Sequence, residues 1–140
     1  MASLKVRMAA MTLAAAVFCG GLSVPAFSQS EAMTADIPFA FYVGGKLMPA
    51  GSYRLKAVSF GSPVMNIAND RGDSTMVGTM PALNKQPSNG RLVFSRYGSE
   101  YFLSELDWAG YETGRALRKT SYERELIAGH SRVRIAVAAK

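Results

Sequence analysis

From Asp36 the chain places apolar side chains at every second position: Ile37, Phe39, Phe41 and Val43 point one way, and Pro38, Ala40 and Tyr42 the other. A period of two predicts a strand, because successive residues of a strand face opposite sides. Pro38 has no N–H to offer a ladder, which predicts a sheet edge or a strand start there. Gly44-Gly45 predicts a tight turn, and Leu47-Met48-Pro49-Ala50-Gly51 a second one. Residues 52–58, 64–68 and 74–80 read as further strands, separated by Gly61-Ser62-Pro63 and by the polar turn Asn69-Asp70-Arg71-Gly72-Asp73. Residues 81–90 form the longest irregular stretch, punctuated by Pro87 and Asn89-Gly90.

The strongest hairpin signal joins 91–97 to 101–108 through Gly98-Ser99-Glu100. Leu92, Phe94 and Arg96 share one face of its first strand. Phe102, Ser104, Leu106 and Trp108 share one face of the second. Residues 109–119 read as a glycine-punctuated loop. Thr120 or Ser121 then caps a short helix, 122–128, ended by Gly129. Val133, Ile135 and Val137 alternate with Arg132, Arg134 and Ala136 in a closing strand. About seven short strands with frequent turns predict a mainly β fold: a small antiparallel sandwich or barrel with one short C-terminal helix.

The first residues follow a different logic. Lys5 and Arg7 precede an uncharged apolar run, 8–18, and Gly20-Gly21 breaks its helix. Ala26 and Ser28 then supply the small residues of a cleavage site. The reading is a helical signal peptide over 1–28, cut after Ser28 or, alternatively, after Ala26. A leader covers 29–35, and a single β domain covers 36–140. The apolar run is shorter than the roughly 20 residues of a transmembrane helix, so no stable membrane anchor is expected after cleavage. Cys19 is the only cysteine of the 140-residue chain. Phe18 and Ala16 do not match a lipidation signal around it. The processed domain is then cysteine-free, and its stability must come from packing rather than disulfides.

The segments Pro38-Phe39-Ala40-Phe41-Tyr42-Val43-Gly44, Leu47-Met48-Pro49-Ala50-Gly51-Ser52-Tyr53 and Leu92-Val93-Phe94-Ser95-Arg96-Tyr97-Gly98 are distinctive together. So are Tyr101-Phe102-Leu103, Gly114-Arg115-Ala116-Leu117 and Glu123-Arg124-Glu125-Leu126. On these motifs the chain resembles a family of short secreted acidobacterial proteins with the pattern PFxFxVGxxxLPAGxY, LVFxRYGxxYFL, GRxL and ExEL. The resemblance runs from about Asp36 to Leu126. It implies export but no activity, ligand or catalytic residue.

Charge changes the picture little. Without Lys5 and Arg7, 14 basic residues face 10 acidic ones, a net charge of +4. That excess suits a mixed-charge surface and weak attraction to anionic polymers, and no nucleic-acid partner is expected. His130 is the only histidine and falls beyond the helix stop, so no triad base is expected. Asp70 and Asp73 belong to a turn rather than a calcium loop, and Arg71-Gly72-Asp73 reads as turn composition too. No metal and no cofactor are expected. Glu105 and Asp107 lie about 7 Å apart on one strand face, the one carboxylate pair that glycosidase-like chemistry could use. Tyr97 and Tyr101 are expected to pair across the hairpin, and Arg115 to meet Glu112 or Glu123. Trp108 with Tyr111 offers an aromatic platform, and Arg96 with Arg115 cations beside it; these four are the candidate ligand-binding residues. The functional expectation is a periplasmic or secreted, non-catalytic β module that binds an envelope protein or polysaccharide. The alternatives are a small carboxylate-dependent hydrolase and a hydrophobic-ligand carrier.

Overall fold

The computed structural model describes residues 32–59, 61–83 and 89–140; the expected signal peptide lies outside them. Alternation sets the first strand, β1 (Ala32–Ile37), in which Met33, Ala35 and Ile37 are buried and Thr34 and Asp36 exposed. Residues 32–35, read as leader, are therefore part of the fold. They pair antiparallel with β4 (Gly51–Ala57), from Ala32 opposite Lys56 to Ile37 opposite Gly51. Small and polar side chains at 32, 34 and 35 mask that period in the sequence.

Pro38 ends β1, and the chain crosses Phe39 and Ala40 before β2 (Phe41–Val43). The one strand expected over 36–43 is thus two. Gly44 (φ 55°) and Gly45 (φ 90°) supply the left-handed turn into β3 (Lys46–Met48), part of which was expected to be a turn. Then follow β5 (Val64–Asn69), β6 (Ser74–Leu83), β7 (Gly90–Tyr97), β8 (Glu100–Asp107), β9 (Thr113–Leu117), α1 (Ser121–Gly129) and β10 (Arg132–Ala139). The split at Pro38, the strand β3 and the strand β9, inside the expected loop 109–119, raise seven expected strands to ten among the described residues.

Eight of these strands close an antiparallel barrel in the order β8-β7-β10-β1-β4-β5-β6-β9, with β9 returning to β8. The choice the sequence left open, sandwich or barrel, falls to the barrel. The return is short: only Glu105–Ala116 and Leu106–Arg115 pair between β8 and β9. The β2–β3 hairpin fills the rest of that side. Tyr42 pairs in parallel with Phe102 of β8, and Lys46 Nζ donates to the Ser74 carbonyl of β6 at 2.8 Å. A Cβ on Gly44 would stand 3.2 Å from Val77 Cγ2, so the turn lies directly against β6.

Inside, the barrel is filled. Phe41, Met48, Leu55, Met65, Ile67, Leu92, Phe94 and Leu106 are all sealed from solvent. Each such side chain contributes roughly 1.5–3 kcal/mol of burial. Phe41 meets Tyr53 and Phe94 edge-on at 5.0 and 5.4 Å, the offset geometry aromatic rings favour.

A bulge corrects the face expected on β8. Phe94 pairs with Leu103 and Val93 with Glu105, so Ser104 is an extra residue with no partner position on β7. Beyond it the alternation inverts. Leu103 and Leu106 both face the core, with Trp108 packed against it, while Phe102, Glu105 and Asp107 face outward. Phe102, Ser104, Leu106 and Trp108 therefore do not share a face. Ser104 Oγ instead meets Ser95 Oγ at 2.6 Å.

Candidate functional site

The second ring closure, between β10 and β1, is where the wall is incomplete. On one edge β10 pairs with β7 along its whole length, from Arg132 opposite Tyr97 to Ala139 opposite Gly90. On its other edge the register with β1 is the single pair Ala35–Ala139, beside an exchange of backbone bonds between Thr34 and Lys140 at 2.8 and 2.9 Å. Pro38 has ended β1 by then, and no described strand continues along β10. The edge that was expected near Pro38 is therefore β10's; β1 itself is paired with β4 throughout.

Backbone parity says which groups face the gap. Lys140 directs its N–H and C=O towards β1, and these groups alternate along a strand. Ala136, Arg134 and Arg132 consequently point theirs at the open side, while Val133, Ile135 and Val137 bond towards β7. Side-chain exposure agrees. Leu92 and Phe94 on β7 are 0% exposed, yet their β10 neighbours Val137 and Ile135 are only partly buried, and Val133 is 41% exposed. Where β1 and β10 part, an open groove of about 980 Å³ runs over Thr34, Asp36, Arg54 and Ala138.

The outer face of β7, β8 and β10 carries paired charges. Arg91 Nε donates to Asp107 Oδ2 at 2.9 Å, and the Asp107 side chain is 1% exposed. Arg134 Nη2 donates to Glu105 Oε2 at 3.2 Å in a more exposed pair. Glu105 and Asp107 do lie on one face, as expected, but each is engaged by an arginine. They line a shallow groove with Val93 and Ala136 rather than facing one another across a cleft.

α1 closes the neighbouring part of that face. Thr120 is its N-cap, its Oγ1 accepting from Glu123 N at 3.2 Å. Glu123 is buried and accepts from the Tyr97 hydroxyl at 3.1 Å. Burial, then the Glu123 charge and that hydrogen bond, push the Tyr97 phenol above its ordinary 10.0. Tyr97 and Tyr101 do not pair: Tyr97 opposes Glu100 and faces the helix, whereas Tyr101 stacks on Phe39 at 3.9 Å. Tyr122 on α1 reaches Tyr42 and Phe102.

The four residues singled out in the sequence do not form one site. Trp108 packs against the core, its Nε1 buried without a hydrogen-bond partner. Tyr111 is exposed on the following turn, joined to Trp108 only through a backbone bond of 3.4 Å. Arg115 shares Trp108's end of the barrel and donates to Thr79 Oγ1 at 3.3 Å. Arg96 lies opposite Tyr101 and Val133, seven residues along β8 from Trp108, about 23 Å away. Arg96 thus borders the open end of β10, and the other three do not. In the β5–β6 turn, Asn69 Oδ1 accepts from the backbone N–H of Arg71 and Asp73, and Asn69 Nδ2 donates to the Asp73 carboxylate at 3.0 Å. Arg71-Gly72-Asp73 is held as turn chemistry. His130 packs beside Gly98 and contacts the Leu126 carbonyl at 3.2 Å.

Sequence reasoning missed the β10 edge because 132–139 has the period of any barrel strand; only the count of its neighbours distinguishes it. Compared with family models, curated proteins and solved structures, the chain matches none.

Proposed function

We propose that the protein is an exported, non-catalytic envelope or extracellular β module that works by holding another macromolecule. The observation that carries this reading is the incomplete wall along β10, where backbone donors and acceptors of Arg132, Arg134 and Ala136 face a gap. Such edges recruit extended chain, with backbone bonds giving affinity and alternate side chains giving specificity. The charged start, apolar run and small residues of 1–28 support export, as does the resemblance to short secreted proteins. The arginine partners of Glu105 and Asp107 support a binding role over hydrolysis, because a nucleophile or proton donor must be free to approach its substrate. The filled interior supports attachment to the barrel's outside rather than capture of a ligand within it.

Co-purification from envelope extracts followed by size exclusion tests the reading. The expected result is a stable associated species; a lone monomer at every protein concentration contradicts it. Turnover of any member of a broad glycan and ester panel, abolished by Glu105→Gln with Asp107→Asn, would replace it with the hydrolase.

A further inference from the structure

Resting on that reading, we infer that the open side of β10 accepts an extended polypeptide segment in which acidic residues alternate with apolar ones. The length, the two faces and the charge of the gap each constrain the occupant. From Arg132 to Ala136 the edge spans about 13 Å between Cα atoms, room for a strand of some five residues. Three residues on it, Arg132, Arg134 and Ala136, direct backbone groups outward from the β7 ladder, so a strand laid there continues the sheet. The inward row of that strand would cover Val133 and Ile135, the β10 side chains left partly exposed over the core. Apolar residues belong there.

The outward row meets cations. Arg132 is exposed and forms no ion pair among the described residues, and Arg134, itself half-exposed, is paired at 3.2 Å with Glu105, which is partly exposed. An exposed pair of that kind is worth about 0–1 kcal/mol, so an incoming carboxylate competes for Arg134 at little cost. Cross-strand neighbours of opposite charge stabilise a pairing and like charges weaken it. That rule also separates the occupant from a second copy of this chain. Two β10 edges pairing antiparallel about Arg134 set Arg134 against Arg134. Shifted towards Arg132 they set Arg132 against Arg134. Shifted the other way they set Arg132 against Ala138, where β1 already closes the wall. An acidic segment meets none of these obstacles.

Fluorescence anisotropy with the purified protein tests the assignment. The probe is a labelled, end-blocked six-residue peptide of alternating valine and glutamate, and its control carries lysine for glutamate. The glutamate peptide should bind at least tenfold more tightly than the control. In Arg132→Glu with Arg134→Glu the preference should reverse, a gain for the lysine peptide that misfolding cannot produce. Ala136→Pro removes an N–H only on the open side, which an edge strand tolerates, so the fold should persist and binding fall at least tenfold. Equal affinity for the two peptides, failure of the reversal, or indifference to Ala136→Pro overturns the inference. A dimer that forms with concentration and is lost in Ala136→Pro overturns it in favour of a second copy. Capture of an envelope partner that is unchanged in Ala136→Pro overturns this edge while leaving the binding-module reading standing.

Discussion

One phenol fastens the helix to the barrel. Tyr97 donates to a carboxylate that is almost wholly buried, so its removal leaves Glu123 without that donor. An unsatisfied buried group costs about 1–3 kcal/mol, more when charged. Tyr97→Phe should therefore lower the unfolding free energy by about that amount, read from urea denaturation; an unchanged midpoint contradicts the pairing. The same residue sets an alkaline limit. Burial is the leading cause that raises Tyr42, Tyr53 and Tyr97 above 10.0. Below pH 10 these tyrosines are neutral in both states and their contribution is fully present. As the pH climbs through the raised folded values, the unfolded chain ionises first and stability is lost. The thermal midpoint should hold up to about pH 9.5 and drop above pH 10. Ultraviolet titration should find these phenols ionising later in the folded protein than in denaturant, and coincident curves would refute their burial.

At the scale of elements, two local devices decide how strands meet. The bulge at Ser104 turns Leu106 inward and Asp107 outward to Arg91. Deleting Ser104 removes the extra residue and leaves β8 in strict alternation, with Leu103 and Leu106 still inward and Glu105 and Asp107 still outward. The deletion should therefore keep the folded circular dichroism spectrum, and loss of that spectrum would show that Ser104 is not the surplus residue. Gly44 has a left-handed backbone and lies against Val77, so Gly44→Ala adds both strain and a tight contact. We expect it to cost about 1–3 kcal/mol, with Val77→Ala recovering part of the loss in a double-mutant cycle. Gly45→Ala carries only the backbone strain, since nothing lies within 4 Å of its added Cβ. These devices also mark the reach of the sequence. Strands β4 to β8 and β10, the Thr120 cap and the helix were legible because alternation and capping are local. The bulge was not, since Ser104 is ordinary strand composition and only the register against β7 reveals it. Likewise β3 and β9 are short, with Gly114 in β9 reading as loop, and they exist because the barrel side between β6 and β8 needs filling.

Across the whole molecule, eight strands enclose a solid core, and the two weak closures of the ring are treated differently. The β8–β9 side is backed by the β2–β3 hairpin, with Phe41, Val43 and Met48 buried. The β10–β1 side has no such cover among the described residues. Of the four candidates chosen from the sequence, only Arg96 borders that gap, because aromatic and cationic composition does not report which strand lacks a neighbour. Residue-resolved amide hydrogen exchange measures the gap itself. If the wall is open, the N–H groups of Arg132, Arg134 and Ala136 exchange quickly while those of Val133, Ile135 and Val137, bonded to β7, are protected. Uniform protection of residues 132–137 would mean that the edge is already covered, and both the site and the function drawn from it would fall.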